Sequence, residues 1–272
     1  MTRIVIHAGF HKTGTTSVQT MLDANRRILG RRLRIYLKSD FGSLTKAARA
    51  FSTDQTPAML AKVATQASRF FETLDPADPR PILMSSEDLC GHMPGRLGLD
   101  RYDAAPLLLS QLADAALTRF GPDTELTFYL STRSQMDWLR STWWQNLRST
   151  RLTLDFDEYA DQTAEAADLV QVMRNLAELI GKDRIASCPL ETSSPAPFGP
   201  LTPLLDLLQV PRVARRKLQL LPPANVQPEA GLDQVFLALN RSGLGDSALH
   251  EAKRTLRRIA TKDADAKASK AT

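Results

Sequence analysis

Apolar positions along this chain fall into short continuous blocks separated by stretches at helical spacing, and the first block sets the scheme. Arg3-Ile4-Val5-Ile6 is an apolar run that breaks into His7-Ala8-Gly9-Phe10-His11-Lys12-Thr13-Gly14. Beyond that break Val18, Met21, Leu22, Ile28 and Leu29 lie on one side of a helix that opens near Thr15 or Thr16. The order is therefore strand, glycine-bounded loop, helix.

The same alternation continues. Arg34-Ile35-Tyr36-Leu37-Lys38 reads as a short edge strand, and Ser39 to Leu74 as mostly helical with a break near Ser52 to Pro57. Asp75-Pro76-Ala77-Asp78-Pro79-Arg80-Pro81 is a loop, because each proline lacks an N–H and restricts the residue before it. Ile82-Leu83-Met84-Ser85-Ser86-Glu87-Asp88 turns abruptly from apolar to polar, the pattern of a buried parallel strand with chemistry at its C-terminal end. A helix over Tyr102 to Phe120, a turn at Gly121-Pro122-Asp123 and a strand over Glu125 to Thr132 follow, the strand ending at Arg133.

In the next helix Met136, Leu139, Trp143 and Leu147 make the apolar stripe, while Asp137, Ser141, Trp144 and Arg148 share another face. Asp155 to Tyr159 looks like a helix start, and Leu169 to Ile180 is an amphipathic helix closed by Gly181. Arg184 to Glu191 reads as the last strand, followed by a Ser/Pro-rich loop from Thr192 to Pro200 and a short helix at Leu201 to Leu208. A basic, proline-bearing connection spans Pro211 to Pro228, and two further helices are marked by Leu232 to Leu239 and by Leu244 to Ile259. This alternation predicts an α/β fold: a three-layer, P-loop-type arrangement with a mostly parallel central sheet, helices on both faces and ligands at the strand C-termini. We expect one such domain over residues 1–260 and a disordered Lys/Ala/Asp-rich tail over 261–272.

The opening loop carries the first candidate chemistry. Amides at a helix start lack intrahelical partners and sit at the positive end of the helix dipole, so one phosphate accepts from several. Gly9 and Gly14 let the backbone curl around an anion. Thr13, Thr15, Thr16 and Ser17 add hydroxyls, and Lys12 adds a mobile positive charge. In the nucleoside-triphosphate motif G-x-x-x-x-G-K-[ST] the lysine follows the second glycine; here that place is Thr15, and Lys12 lies inside the loop.

Lys12-Thr13-Gly14-Thr15-Thr16-Ser17 directly after a strand resembles the 5′-phosphosulfate-binding loop of the sulfotransferases, and with His11 in front it looks most like bacterial members of that superfamily. The resemblance implies 3′-phosphoadenosine 5′-phosphosulfate (PAPS) as co-substrate, with Lys12 beside the oxygen that bridges phosphorus and sulfur. It also implies a role for Arg133 and Ser141, since family members bind the 3′-phosphate through a strand-terminal arginine and a serine eight positions later. An arginine suits that task because its planar fork grips phosphate with two hydrogen bonds. The Arg-Lys-Gly stretch of the cytosolic enzymes has no counterpart, Arg215-Arg216-Lys217 lacking the glycine.

Sulfuryl transfer needs a base for the acceptor hydroxyl, a carbohydrate hydroxyl among the candidates. Glu87 stands where family members carry a catalytic histidine or glutamate, with His11 and His92 as rivals. His11 also stands beside Lys12, where it could orient the sulfonate. His7, within the first strand, reads as a hydrogen-bonded core histidine, and Trp143 as core, with Trp144 left open.

Composition narrows the choice. A chain of 272 residues, 43% hydrophobic and 24% charged, is long enough for one sizeable core. The net charge of +5, spread rather than gathered in a block, suits a polyanionic small molecule better than nucleic acid. Cys90 and Cys188 have no metal or disulfide spacing and read as buried thiols, so no metal is expected. The N-terminus has no signal-peptide core and no run approaches a membrane span, from which we expect a soluble cytoplasmic protein. Two other readings stay open: a P-loop kinase or NTPase, which lacks here both the lysine after Gly14 and an aspartate closing the Leu126 to Thr132 strand, and a non-catalytic nucleotide-binding descendant.

Overall fold

The computed structural model describes residues 2–222 and 231–270, the side chains of 262–270 excepted. Strands β1 (Arg3–His7), β2 (Arg34–Leu37), β3 (Ile82–Ser85), β4 (Glu125–Thr132) and β5 (Ile185–Pro189) form one sheet in the order β2-β3-β1-β4-β5, every pair parallel. In the first half of the chain the helices are α1 (Thr15–Ala24), α2 (Arg26–Leu29), α3 (Gly42–Thr53), α4 (Pro57–Glu72) and α5 (Ala105–Phe120). The second half supplies α6 (Gln135–Ser149), α7 (Phe156–Thr163), α8 (Leu169–Ile180), α9 (Leu190–Ser193), α10 (Thr202–Leu207), α11 (Arg212–Arg215), α12 (Leu232–Arg241) and α13 (Asp246–Lys270). None of the described helices is long and apolar enough to cross a membrane.

The period-two alternation of β1 explains the layering. Ile4 and Ile6 pack into one core with Met84, Phe128, Leu108 and Trp138, while Val5 points to the other with Leu83, Tyr129, Val18 and Leu204. Both faces are thus covered by helices, which is why β1, β3 and β4 read as near-continuous apolar runs. β1 sits between β3 and β4, and the chain leaves it toward one side of the sheet and later returns to the other, so the loop after β1 opens at the switch point where ligands bind in such sheets.

Helix ends follow the sequence signals. Asp155 and Glu158 form a reciprocal capping box on α7, each side chain accepting from the other's amide at 3.0 Å. α5 begins at Ala105, with Pro106 in its first turn, rather than at Tyr102. α8 ends at Gly181, whose φ of 91° suits a residue without Cβ.

Several expectations are corrected. β3 stops at Ser85: Ser86 turns the chain, its hydroxyl accepting from the Asp88 amide at 3.3 Å, and Glu87–Cys90 is a 3₁₀ turn. Met136 is 56% exposed, its predicted place in the core taken by Trp138 and Thr142 of the same helix. Trp144 is buried against Phe236, the rings stacked 5.4 Å apart. Cys188 is half-buried, whereas Cys90 is buried. Leu190–Ser193 and Gly199–Leu201 are helical turns at the two ends of the expected Ser/Pro loop. The Pro211–Pro228 connection holds α11, its 223–228 part lying outside the described residues. α13 keeps a helical backbone to Lys270, through most of the stretch for which composition predicts disorder; Ala and Lys, frequent there, are good helix formers. Residues 271–272 of that tail lie outside the described residues.

Candidate functional site

The loop after β1 is built around three left-handed backbone positions. Gly9 has φ 39°, and a Cβ there would stand 2.6 Å from Thr15 Cγ2 and 2.9 Å from His7 Nε2. Gly14, the N-cap of α1, has φ 92°, with Leu190 Cδ1 2.7 Å from where its Cβ would be. Lys12, with φ 69°, adopts this conformation without being glycine, a strained state that surrounding structure must hold. Two long side chains do so: Trp138 Nε1 donates to the His11 carbonyl at 2.8 Å and Arg133 Nη1 to the Lys12 carbonyl at 3.2 Å. α1 has no side-chain cap from its N-cap residue and no acidic residue in its first turn.

Of the loop hydroxyls the structure separates one from the rest. Thr13 is fully buried, its Oγ1 bonded to the Phe10 carbonyl at 2.6 Å and to Ser131 Oγ at 2.7 Å, and it does not line the cleft that its neighbours line. Lys12, Gly14, Thr15, Thr16 and Ser17 line a cleft of about 680 Å³, within the size range of small-molecule sites. Arg133 and Ser141 line the same cleft, as do His11 and Glu87. Ser141 does so together with Gln145 and Arg148, one face of α6, while Trp144 lies in the core.

The candidate bases differ in their surroundings. Glu87 Oε2 accepts from Gln19 Nε2 at 2.8 Å, and Glu87 is close enough to favour the charged form of Lys12. His11 is tethered at both ring nitrogens, with Nδ1 3.0 Å from the Tyr102 hydroxyl and Nε2 3.6 Å from Asp88 Oδ1. His92 does not line the cleft; it is half-buried, and burial, then Arg49, pull its pKa down. His7 is buried, with Nδ1 2.8 Å from Ser85 Oγ, and burial takes its pKa to about 4 against the opposing pull of Glu87, so it is a neutral core histidine.

Lys12 is the electrostatic centre. Burial, then Arg148, Arg133 and Arg96, lower its pKa to about 8, with Glu87 acting the other way. An incoming anion reverses that balance and restores full charge to the lysine.

Lys38, Arg49, Asp88, Arg96 and Arg148 also line the cleft, and sequence reasoning missed them as site residues. They carry no motif; the signals were the position of Asp88 at the end of an apolar strand and the place of Arg148 on the helix face that carries Ser141. Asp88 pairs with Lys38 and lies 3.8 Å from Arg49; burial pushes its carboxyl up, but the contacts with His11 and Lys38 prevail and hold it well below the usual range. Trp138 was missed as well, since its role is to carry the loop's carbonyl and not to touch a ligand. Arg215 is engaged elsewhere, bonded to the Val210 carbonyl at 2.7 Å and to Asp206 at 2.5 Å. Among the described residues no group of three or more His, Cys, Asp or Glu stands together as a metal site would need.

No family model matches the chain, and no curated protein matches it. Among solved structures it is similar to the crystal structure of a sulfotransferase from Alicyclobacillus acidocaldarius, at 16% identity and a TM-score of 0.44, the match covering 93% of this chain and 95% of that one.

Proposed function

We propose that this protein transfers a sulfuryl group from PAPS to an acceptor hydroxyl. The observation that carries the reading is that the β1–α1 loop with Lys12 and the Arg133–Ser141 pair, some 120 residues apart along the chain, line one cleft. A nucleotide phosphorylated at both ends of its ribose needs two such grips facing a common space. The uncapped start of α1 and the loop amides suit the 5′-phosphosulfate, and Arg133 with Ser141 suits the 3′-phosphate.

In this reading the acceptor oxygen attacks sulfur while the bond from sulfur to the bridging oxygen breaks, and the electron pair departs on the 5′-phosphate. Lys12 and the α1 amides meet that developing charge. Glu87 receives the acceptor's proton, since its Oε1 makes no hydrogen bond to the described residues while His11 is tied to Tyr102 and Asp88. His11 then acts as a positioning residue, its carbonyl held by Trp138 next to Lys12.

Calorimetry separates this reading from a kinase-like one. Adenosine 3′,5′-bisphosphate is expected to bind at least about tenfold more tightly than ATP with Mg²⁺, a difference of about 1.4 kcal/mol. Equal affinity, or a preference for ATP with Mg²⁺, overturns it.

A further inference from the structure

The donor contacts proposed above employ Lys12, Arg133 and Ser141 and leave part of the cleft's positive charge unmatched. Lys38 and Arg49 share the single carboxylate of Asp88, so their side of the cleft is partly compensated. Arg96 and Arg148 are not: both line the cleft, and neither forms an ion pair with a described carboxylate. Their partners are neutral. Arg96 donates to Asn146 Oδ1 at 2.6 Å and to Ser149 Oγ at 2.7 Å, and Arg148 donates to Gln145 Oε1. Such bonds aim a guanidinium without neutralising it.

The surroundings sharpen the imbalance. Burial disfavours the charge of both arginines, Arg257 of α13 adds repulsion at Arg148, and each repels Lys12; at Arg96 Tyr159, Asp88 and Tyr102 act the other way, without outweighing burial. Arg148 follows Ser141 by two turns on the same face of α6, a separation of about 10 Å along the helix axis. The donor contacts proposed above assign no role to either arginine. An unpaired cationic wall in a half-enclosed cleft gains most from a ligand that brings its own negative charge.

We propose that Arg96 and Arg148 hold an anionic group of the acceptor, so that the substrate class is hydroxyl compounds bearing a carboxylate, sulfate or phosphate rather than neutral alcohols. This rests on the donor reading, which assigns the rest of the cleft's cations. It predicts a second anion position that persists when the nucleotide product is bound.

The test is equilibrium dialysis of radiolabelled inorganic sulfate against the full chain saturated with adenosine 3′,5′-bisphosphate, for the natural protein and for R96Q/R148Q, with R148Q alone as a milder variant. The loaded natural protein is expected to take up sulfate, and the double variant to bind it at least tenfold more weakly with a smaller loss of bisphosphate affinity; retained bisphosphate binding also shows that the variant folds. Displacement by phosphate or by acetate identifies which of the three groups the wall prefers. No sulfate uptake by the loaded protein, or uptake equal in R96Q/R148Q, overturns the proposal. Failure of the bisphosphate itself to bind strikes the donor reading instead, and the difference in sulfate uptake between the two proteins, measured without nucleotide, still decides the role of the arginines.

Discussion

Lys12→Ala is expected to lower the rate of sulfuryl transfer from PAPS about 10²- to 10³-fold while changing affinity for adenosine 3′,5′-bisphosphate only a few-fold. The asymmetry follows from when the charge is needed. On the proposed reading the α1 amides and Arg133 hold the bisphosphate in the ground state, but negative charge grows on the bridging oxygen only as the bond to sulfur breaks, and a donor aimed there acts mostly in the transition state. Radiolabelled transfer at saturating donor measures the first quantity and calorimetry the second. A loss of binding as large as the loss of rate removes Lys12 from the catalytic role.

The same lysine fixes a pH dependence. Its pKa in the free protein is lowered to about 8, by burial first and then by Arg148, Arg133 and Arg96. Only the protonated form stabilises the leaving phosphate, so kcat/KM, which reports the free protein, falls as pH rises through about 8. Bound anions raise the lysine's pKa, and the corresponding fall in kcat lies at higher pH.

Arg133→Ala is the second large effect, and it appears in binding. Removing a charged, forked donor from a phosphate costs about 2–3 kcal/mol, so affinity for adenosine 3′,5′-bisphosphate drops roughly 30- to 150-fold. The variant also frees the Lys12 carbonyl that Arg133 supports, so Ser141→Ala is the cleaner partner measurement. It removes one neutral hydrogen bond, worth about 1 kcal/mol, and weakens binding roughly fivefold. Adenosine 5′-phosphate, which lacks the second phosphate, distinguishes the two causes: its affinity is unchanged in both variants if these residues serve the 3′-phosphate. Equal losses for both nucleotides assign Arg133 to the loop alone.

The sheet and the glycine-bounded turn after β1 were legible in the sequence because both rest on local signals. Ile4-Val5-Ile6 is apolar on both faces and is followed within eight residues by two glycines that the backbone needs in left-handed conformation. Arg133 and Ser141 were singled out by a resemblance, and the structure places both on the cleft. What stayed hidden was pairwise and long-range. Thr13 looks like its neighbours in sequence, yet only the fold brings Ser131 to its hydroxyl, 118 positions away. Met136 sits at an apolar period, but the start of α6 overhangs solvent and Trp138 fills the space beneath the loop instead. Arg96 belongs to a segment without periodicity and reaches the cleft only because Asn146 and Ser149 catch it. Local pattern gives the scaffold and the glycine-bounded loop, while charge balance across the cleft requires coordinates.

The most direct test of the account is a crystal structure of the full chain with adenosine 3′,5′-bisphosphate. The account predicts one nucleotide across the cleft, its 5′-phosphate on the amides of Gly14 to Thr16 beside Lys12 and its 3′-phosphate on Arg133 and Ser141. A nucleotide bound outside this cleft, or one whose 3′-phosphate points away from Arg133 while the 5′-phosphate sits on the loop, contradicts it.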